Sequence, residues 1–310
     1  MKPAVELAAD SLYCCAMAAP EKDDIIVERP LEPGAKLDFG PEGRRQTYSD
    51  FLQLDTLLSL QAPIQDPPQR DELLFVIIHQ VSELWLKLLH FELVEARRSI
   101  RADDLKTCNK TMARSKAILE QLISAWKVLL TMTTADYMTF RGGLGQSSGF
   151  QSSGYRQVEF LLGNKDAAHL QLYRHDPAAL ARLSQVLAEP ALYDEVLACL
   201  ARRGFPVPPK LLARDVSEPY AGDPEVVAIW AGIYRAPDSH WELYDLAEKL
   251  MDLEGLFQRW RFDHMTAVER IIGHQPGTGG SSGVGYLKAA LNLRFFHDLY
   301  ELRNHLYGSR

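Results

Sequence analysis

The longest regular pattern in the chain runs from Leu243 to Val268, where Leu243, Leu246, Leu250, Leu253, Phe257, Trp260, His264 and Val268 recur at intervals of three and four. That spacing puts all of them on one face of a helix, the face a helix turns toward a core. A second segment, "LLFVIIHQVSELWLKLL", is apolar nearly all round and carries Phe75 and His79 one turn apart. It is expected to be a central, buried helix. The same reading predicts a short helix over 47–61, stopped by Pro63 and by Pro67-Pro68, and long helices over 71–100 and 103–132. Further helical pattern lies near 154–163, over 177–202 behind Asp176 and Pro177, over 238–272 and over 286–306. Pro206, Pro208 and Pro209 mark one loop and Pro219 to Pro224 another.

Alternating strand pattern is absent, so the chain is predicted to be all-α, a helical bundle with few or no strands. Residues 1–45 carry Pro30, Pro33 and Pro41 among mixed charges and are expected as an extended or partly ordered N-terminal arm. Residues 46–310 are expected as a single domain, because no linker separates two cores.

Composition narrows the class. With 310 residues, 46% of them hydrophobic, the chain can bury a substantial core. A net charge of -7 without any Lys/Arg-rich run argues against nucleic acid as a partner. Cys14, Cys15, Cys108 and Cys199 form no C-x-x-C pair and suit a reducing compartment. Glu6 and Asp10 interrupt the N-terminus before an apolar run develops, which does not fit a signal peptide, and no uncharged apolar stretch reaches bilayer length. A soluble cytoplasmic protein with no membrane partner is expected. H-E-x-x-H, the P-loop ending G-K-[ST] and G-x-G-x-x-G are all missing.

The candidate chemistry lies on the two inward histidines. One buried histidine is more often a hydrogen-bonded core residue than a ligand, but two facing each other across a bundle can hold a metal or a haem. Tyr137 and Arg141 stand one turn apart before the Gly/Ser-rich stretch "GGLGQSSGFQSSG", where an arginine ending a helix can clamp a small carboxylate through its fork. "GHQPGTGGSSGVGYLKAAL" is a second loop, rich in hydroxyls and backbone donors, that can close over a polar ligand.

Three long blocks, "DELLFVIIHQVSELWLKLL", "SSGFQSSGYRQVEFLLGNK" and "VERIIGHQPGTGGSSGVGYL", occur in the order they have in the tryptophan 2,3-dioxygenase family, which the chain resembles from about Thr47 to Asn304. The resemblance implies haem b, ferrous in the active form, with O2 as co-substrate and L-tryptophan or a substituted tryptophan as substrate. His264 matches the proximal iron ligand and His79 the distal histidine, which accepts a hydrogen bond from the indole N–H and must be neutral for that role. Arg141 matches the carboxylate partner, with Tyr137 walling that end. Thr278 matches a loop position near the substrate ammonium, Phe75 an aromatic wall, and Leu144 and Ser148 pocket positions. Tyr48, Phe51 and Leu52 match a segment that reaches the neighbouring subunit's site, which implies a homotetramer.

The chain departs from the family's common pattern at Ile78, Val81, Ser153, Gly154 and Asp263. Reversing a charge at Asp263 is expected to alter pairing at the haem edge, and the loss of bulk at Ser153 and Gly154 to loosen the first loop. Three readings stand at this point. One is C2–C3 cleavage to N-formylkynurenine. Another is insertion of one oxygen atom into tryptophan or a β-methyl or otherwise substituted analogue, giving a hydroxyindolenine or 2-oxindole. The last is a non-catalytic haem sensor, against which Arg141 and Thr278 argue, since a gas sensor needs no carboxylate clamp.

Overall fold

A computed structural model describes residues 27–29, 32–37 and 47–307. The chain divides into two compact units, residues 1–60 and 61–310. In the first, strands β1 (Val27–Arg29) and β2 (Glu32–Leu37) pair antiparallel. They lie inside the segment expected as an arm and are the only strands among the described residues. Two short helices follow, α1 (Tyr48–Leu52) and α2 (Leu54–Leu58). Thr47 opens α1 with a capping box, its hydroxyl accepting from Asp50 N at 3.2 Å while the Asp50 carboxylate accepts from Thr47 N at 3.1 Å. The single helix expected over 47–61 is broken because Gln53 sits in the left-handed region at φ 51°.

The second unit is helical throughout its regular structure: α3 (Arg70–Arg101), α4 (Leu105–Leu129), α5 (Thr134–Arg141), α6 (Ser153–Leu162), α7 (Pro177–Ala188), α8 (Leu192–Arg202), α9 (Pro209–Leu212), α10 (Pro224–Arg235), α11 (Trp241–Ile272), α12 (Val284–Ala290) and α13 (His297–Tyr307), with short 3-10 turns between. The all-α expectation holds. The turn from α3 to α4 falls where Asp103 and Asp104 place it, Asp104 accepting from Thr107 N at 3.0 Å.

Two further predicted helices are each two, and α5 is among the helices outside the predicted ranges. A second capping box, of Thr133 and Asp136, starts it just beyond the end expected for 103–132. Pro190, which has no N–H to donate, separates α7 from α8 within the expected 177–202. The break within 286–306 is tertiary: the buried Glu254 carboxylate of α11 accepts from Phe295 N at 3.0 Å and Phe296 N at 3.1 Å, satisfying the backbone just before α13.

The core centres on α3, α4 and α11, with α4 between the other two. Leu89 and Leu93 of α3, Leu119 of α4, and Leu250 and Leu253 of α11 are fully buried there. The periodic face of α11 is inward as expected. Helix α3, however, is not buried all round. Ile78, Leu86, Leu89, Leu93, Ala96 and Ile100 face α4, α6 and α8, while a second apolar line along the same helix faces outward. By length and composition α3 could cross a membrane, yet its inner face is packed into the helical core.

Farther from this layer, the buried Asp298 carboxylate accepts from Tyr193 Oη, Tyr220 Oη and Asp223 N at 2.8 to 2.9 Å, tying α8 and α10 to α13. Burial raises its pKa, and these three donors oppose the shift.

Candidate active site

One cavity of about 240 Å³ opens between α3, α4, α5 and α11 and is covered by the segments 144–152 and 277–283. Ile78, Leu129, Met132, Tyr137 and Ile271, members of one apolar cluster with Phe140, line part of it. Phe75, Ile78, His79, Ser82 and Leu86 reach it from α3, spaced as one helix face, and Trp260, His264, Ala267 and Ile271 reach it from α11. Each histidine therefore enters from its own helix.

His79 has a defined tautomer. Its Nδ1 lies 2.7 Å from the Phe75 carbonyl oxygen, which can only accept, so Nδ1 carries the proton and Nε2 of the neutral ring offers a lone pair. Burial lowers its pKa, partly opposed by that hydrogen bond. The Phe75 ring packs against it at 4.1 Å between centroids.

His264 makes no hydrogen bond to any described residue, and burial pushes its imidazole down to about 4, with repulsion from His79 acting in the same direction. Its ring stacks on Trp126 at 4.7 Å between centroids and 8° between planes, and Trp260 packs at 5.6 Å. A neutral imidazole with a free lone pair, held by aromatic faces at the wall of a cavity, is the donor a metal centre uses. No group of three or more His, Cys, Asp and Glu side chains able to hold a metal occurs among the described residues.

The cavity mouth is polar. Arg141, the last residue of α5, donates from Nη2 to Pro276 O at 2.8 Å and has no acidic partner among the described residues. Thr278 Oγ1 donates to the Ser147 carbonyl, and Ser148 Oγ accepts from Phe150 N at 3.3 Å, capping the turn that follows it. A Cβ on Gly279 would stand 2.7 Å from Ser148 Cβ, so only glycine allows the two covering segments to touch at this point.

Tyr137 is buried beside Phe75 and Phe140, and Leu144 lines the same space. The structure thus brings together Phe75, His79, Tyr137, Arg141, Leu144, Ser148, His264 and Thr278. Tyr48, Phe51 and Leu52 are on α1 in the other unit, exposed, and are not among the lining residues.

Sequence reasoning missed a buried charged cluster on the cavity wall. Glu159 accepts from Tyr155 Oη and from Arg261 Nη2, both at 2.6 Å, and pairs with Arg156. Two buried guanidiniums share this one carboxylate, and Arg156 Nε finds no partner. An anionic group in the cavity would complete the set. The available signal was Tyr155, Arg156 and Glu159 within two turns of one helix, and Arg261 one turn before His264 on an otherwise apolar face.

The departures noted in the sequence take on definite positions. Asp263 accepts from Arg259 Nε through both oxygens at 2.9 Å, so its charge is paired along its own helix and does not line the cavity. Ser153 and Gly154 belong to the first turn of α6 rather than to the loop, and a Cβ on Gly154 would lie 2.7 Å from Glu83 Oε2 and 3.6 Å from Leu86 Cβ of α3. The small residue there permits close helix packing. Ile78 lines the cavity, whereas Val81 points away from it.

The family model of tryptophan 2,3-dioxygenase matches residues 35–203 and 186–306. The chain is 50% identical over 279 residues to the tryptophan 2,3-dioxygenase of Myxococcus xanthus, covering 90% of this chain and 95% of that one. It is 48% identical over 294 residues to that of Burkholderia cenocepacia, covering 94% and 93%, and 50% identical over 277 residues to that of a Bradyrhizobium species, covering 89% and 98%.

The imidazole environment sets a pH dependence. In the folded apoprotein His264 takes up a proton only near pH 4, against 6.5 for the unperturbed ring, so the unfolded chain binds more protons between these values. Stability from this group is complete above pH 6.5 and is lost as the pH falls toward 4, by up to about 3 kcal/mol. Urea unfolding of the apoprotein across that range should show the loss, and His264→Leu should flatten it; an equal slope in the variant would contradict this account.

Proposed function

Since the chain belongs to the tryptophan 2,3-dioxygenase family, we propose that it binds haem b and catalyses oxidation of L-tryptophan by O2, cleaving the indole C2–C3 bond to give N-formylkynurenine. The observation that carries this reading is the pair of neutral imidazoles, from α3 and α11, on one apolar cavity whose mouth holds an arginine without an acidic partner.

The residues present fit the cofactor. His264 offers a neutral nitrogen that no protein group claims, and Arg156 with Arg261 supplies positive charge in excess of Glu159 for the carboxylates of the macrocycle. When bound, haem supplies the dioxygen chemistry that no side chain can provide. A histidine ligand donates less electron density than a thiolate and favours heterolytic O–O cleavage less, which suits delivery of both oxygen atoms to one substrate.

The remaining work belongs to the protein. Arg141 receives the substrate carboxylate through its fork, and its present acceptor, the Pro276 carbonyl, couples that clamp to the covering segment. His79 keeps its proton on Nδ1, donated to Phe75 O, and therefore presents Nε2 to accept from the indole N–H, orienting the ring while the proton stays on the indole nitrogen. Phe75, Tyr137 and Leu144 enclose the indole in apolar surface, and edge-to-face packing by Phe75 adds about 1 kcal/mol beyond area. Thr278 and Ser148, joined by their loops, sit where the ammonium end is closed off from water.

The enzyme assembles as a homotetramer in this reading, with the exposed Tyr48, Phe51 and Leu52 reaching a neighbouring copy's site. It works in the cytoplasm, where free buried thiols such as Cys108 and Cys199 persist.

Haem-loaded, reduced protein turning over L-tryptophan under isotopically labelled dioxygen should yield N-formylkynurenine with two labelled atoms by mass spectrometry. One labelled atom on an intact indole-derived ring would replace the proposal with a monooxygenase. His264→Ala should abolish haem retention, and an unchanged Soret band would defeat the ligand assignment. Arg141→Ala should weaken tryptophan binding by about 2–4 kcal/mol while haem affinity is kept; equal tryptophan affinity in equilibrium titration would move the carboxylate site elsewhere.

A further inference from the structure

A second cavity, also of about 240 Å³, lies between α3, α6 and α7 and takes no part in the chemistry assigned above. Its walls are helix faces. His90 and Val94 stand one turn apart on α3, Gln157 and Leu161 on α6, and Arg182 and Val186 on α7. One side of it is held firmly. Arg97, almost withdrawn from solvent, donates to Pro190 O at 2.7 Å and to Glu189 Oε2 at 2.6 Å, and Gln185 donates to the other Glu189 oxygen at 2.9 Å. Behind that side the buried Lys165 ammonium donates to Val186 O, Leu187 O and Glu189 O at 2.7 to 2.9 Å. The last carbonyls of α7 are thereby satisfied and the end of that helix is fixed.

The cavity is charged on one side of the balance. Arg97, Arg98 and Arg182 meet a single lining carboxylate, Glu189, in a chain whose net charge is -7. Arg98 pairs with Glu95 along its own helix, whereas Arg182 makes no ion pair or hydrogen bond with any described residue. A hydrogen bond is also missing, because Nε2 of His90 is buried without a partner. Such an orphan costs free energy that a ligand atom can recover. Burial and then the nearby Arg97 lower the pKa of His90, with Glu189 opposing, so the ring is neutral and its Nε2 is free to carry the proton and donate. Between these polar groups lies an apolar floor of Val94, Leu161 and Val186. An inorganic anion would use the guanidinium and leave that floor wet. Pockets for drug-sized ligands start at about 300 Å³, so the space present suits a single ring.

We propose that this cleft is a second ligand site, which takes a small carboxylate built on one apolar ring. Arg182 supplies the charge that meets the carboxylate, His90 Nε2 a hydrogen bond, and Val94, Leu161 and Val186 the surface for the ring. The site does not depend on the chemistry assigned to the catalytic cavity. It shares two helices with that cavity, since α3 also carries His79 and α6 also carries Arg156. A ligand here therefore braces α7 against the same two helices that present the distal imidazole and one of the buried guanidiniums.

The test titrates benzoate into the haem-loaded, ferric full chain by calorimetry, with and without saturating L-tryptophan. One benzoate per chain should bind in both conditions and equally in Arg141→Ala. Arg182→Glu should weaken it about tenfold or more and His90→Leu about tenfold, with the Soret band and far-ultraviolet circular dichroism at wild-type values. Benzamide, the same ring without the charge, should bind about tenfold more weakly than benzoate. Should His90→Leu lose helical signal, Arg182→Glu, a change at an exposed position, decides. Loss of binding in Arg141→Ala, or competition by L-tryptophan, would place the benzoate in the catalytic cavity and overturn the second site. Absence of binding at millimolar benzoate would overturn it as well. Inorganic phosphate binding as tightly as benzoate would overturn the role of the ring. A chain that retains neither haem nor tryptophan yet binds benzoate through Arg182 would uphold this site while the function proposed above fell.

Discussion

Desolvation of two imidazoles is the constraint from which the rest of the site follows. Protonating either ring would place a charge in an apolar cavity beside the other ring, so both stay neutral, His264 down to about 4. Neutrality gives each ring one lone pair, and the surroundings decide its direction. For His79 the Phe75 carbonyl one turn earlier takes the Nδ1 proton, leaving Nε2 to accept. For His264 no polar neighbour competes, and the flat face of Trp126 holds the ring by contact alone. Two chemically identical side chains thereby acquire different tasks, one suited to an N–H donor and one to a metal.

Charge is kept at the margins of that apolar space in two forms. Arg141 stands at the mouth without an acidic partner, its guanidinium held by a backbone carbonyl of the covering segment. A small carboxylate can displace or join that neutral acceptor, whereas an ion pair would have cost far more to break. At the wall, Arg156 and Arg261 crowd around Glu159 and remain short of one negative group. Both arrangements leave an electrostatic deficit that an anionic ligand removes, which couples ligand binding to the stability of the fold around it.

Helix α3 shows how one element serves two surfaces. A helix repeats every 3.6 residues, so a segment apolar nearly all round presents a second face once the first is packed. The inner line builds the core and the cavity. The outer line is left exposed by the helices that pack on the other side.

Much of this was legible in the chain itself. The three-and-four spacing from Leu243 to Val268 determines that His264 turns inward, because helix geometry allows those residues only one face. The pairing of Phe75 with His79 and of Tyr137 with Arg141 is likewise local, set by one helical turn. What local pattern could not decide was anything that depends on a partner distant in sequence. Glu254 accepts from the backbone just before α13, from residues 41 and 42 positions away. Asp263 is silenced by Arg259 rather than facing the cavity, and Gly154 serves packing against α3 rather than loop freedom. Apolar residues all round α3 implied complete burial, but periodicity reports which positions are apolar and not how many neighbours arrive to cover them. Only the packed structure settled that α4, α6 and α8 take one face and leave the other to water.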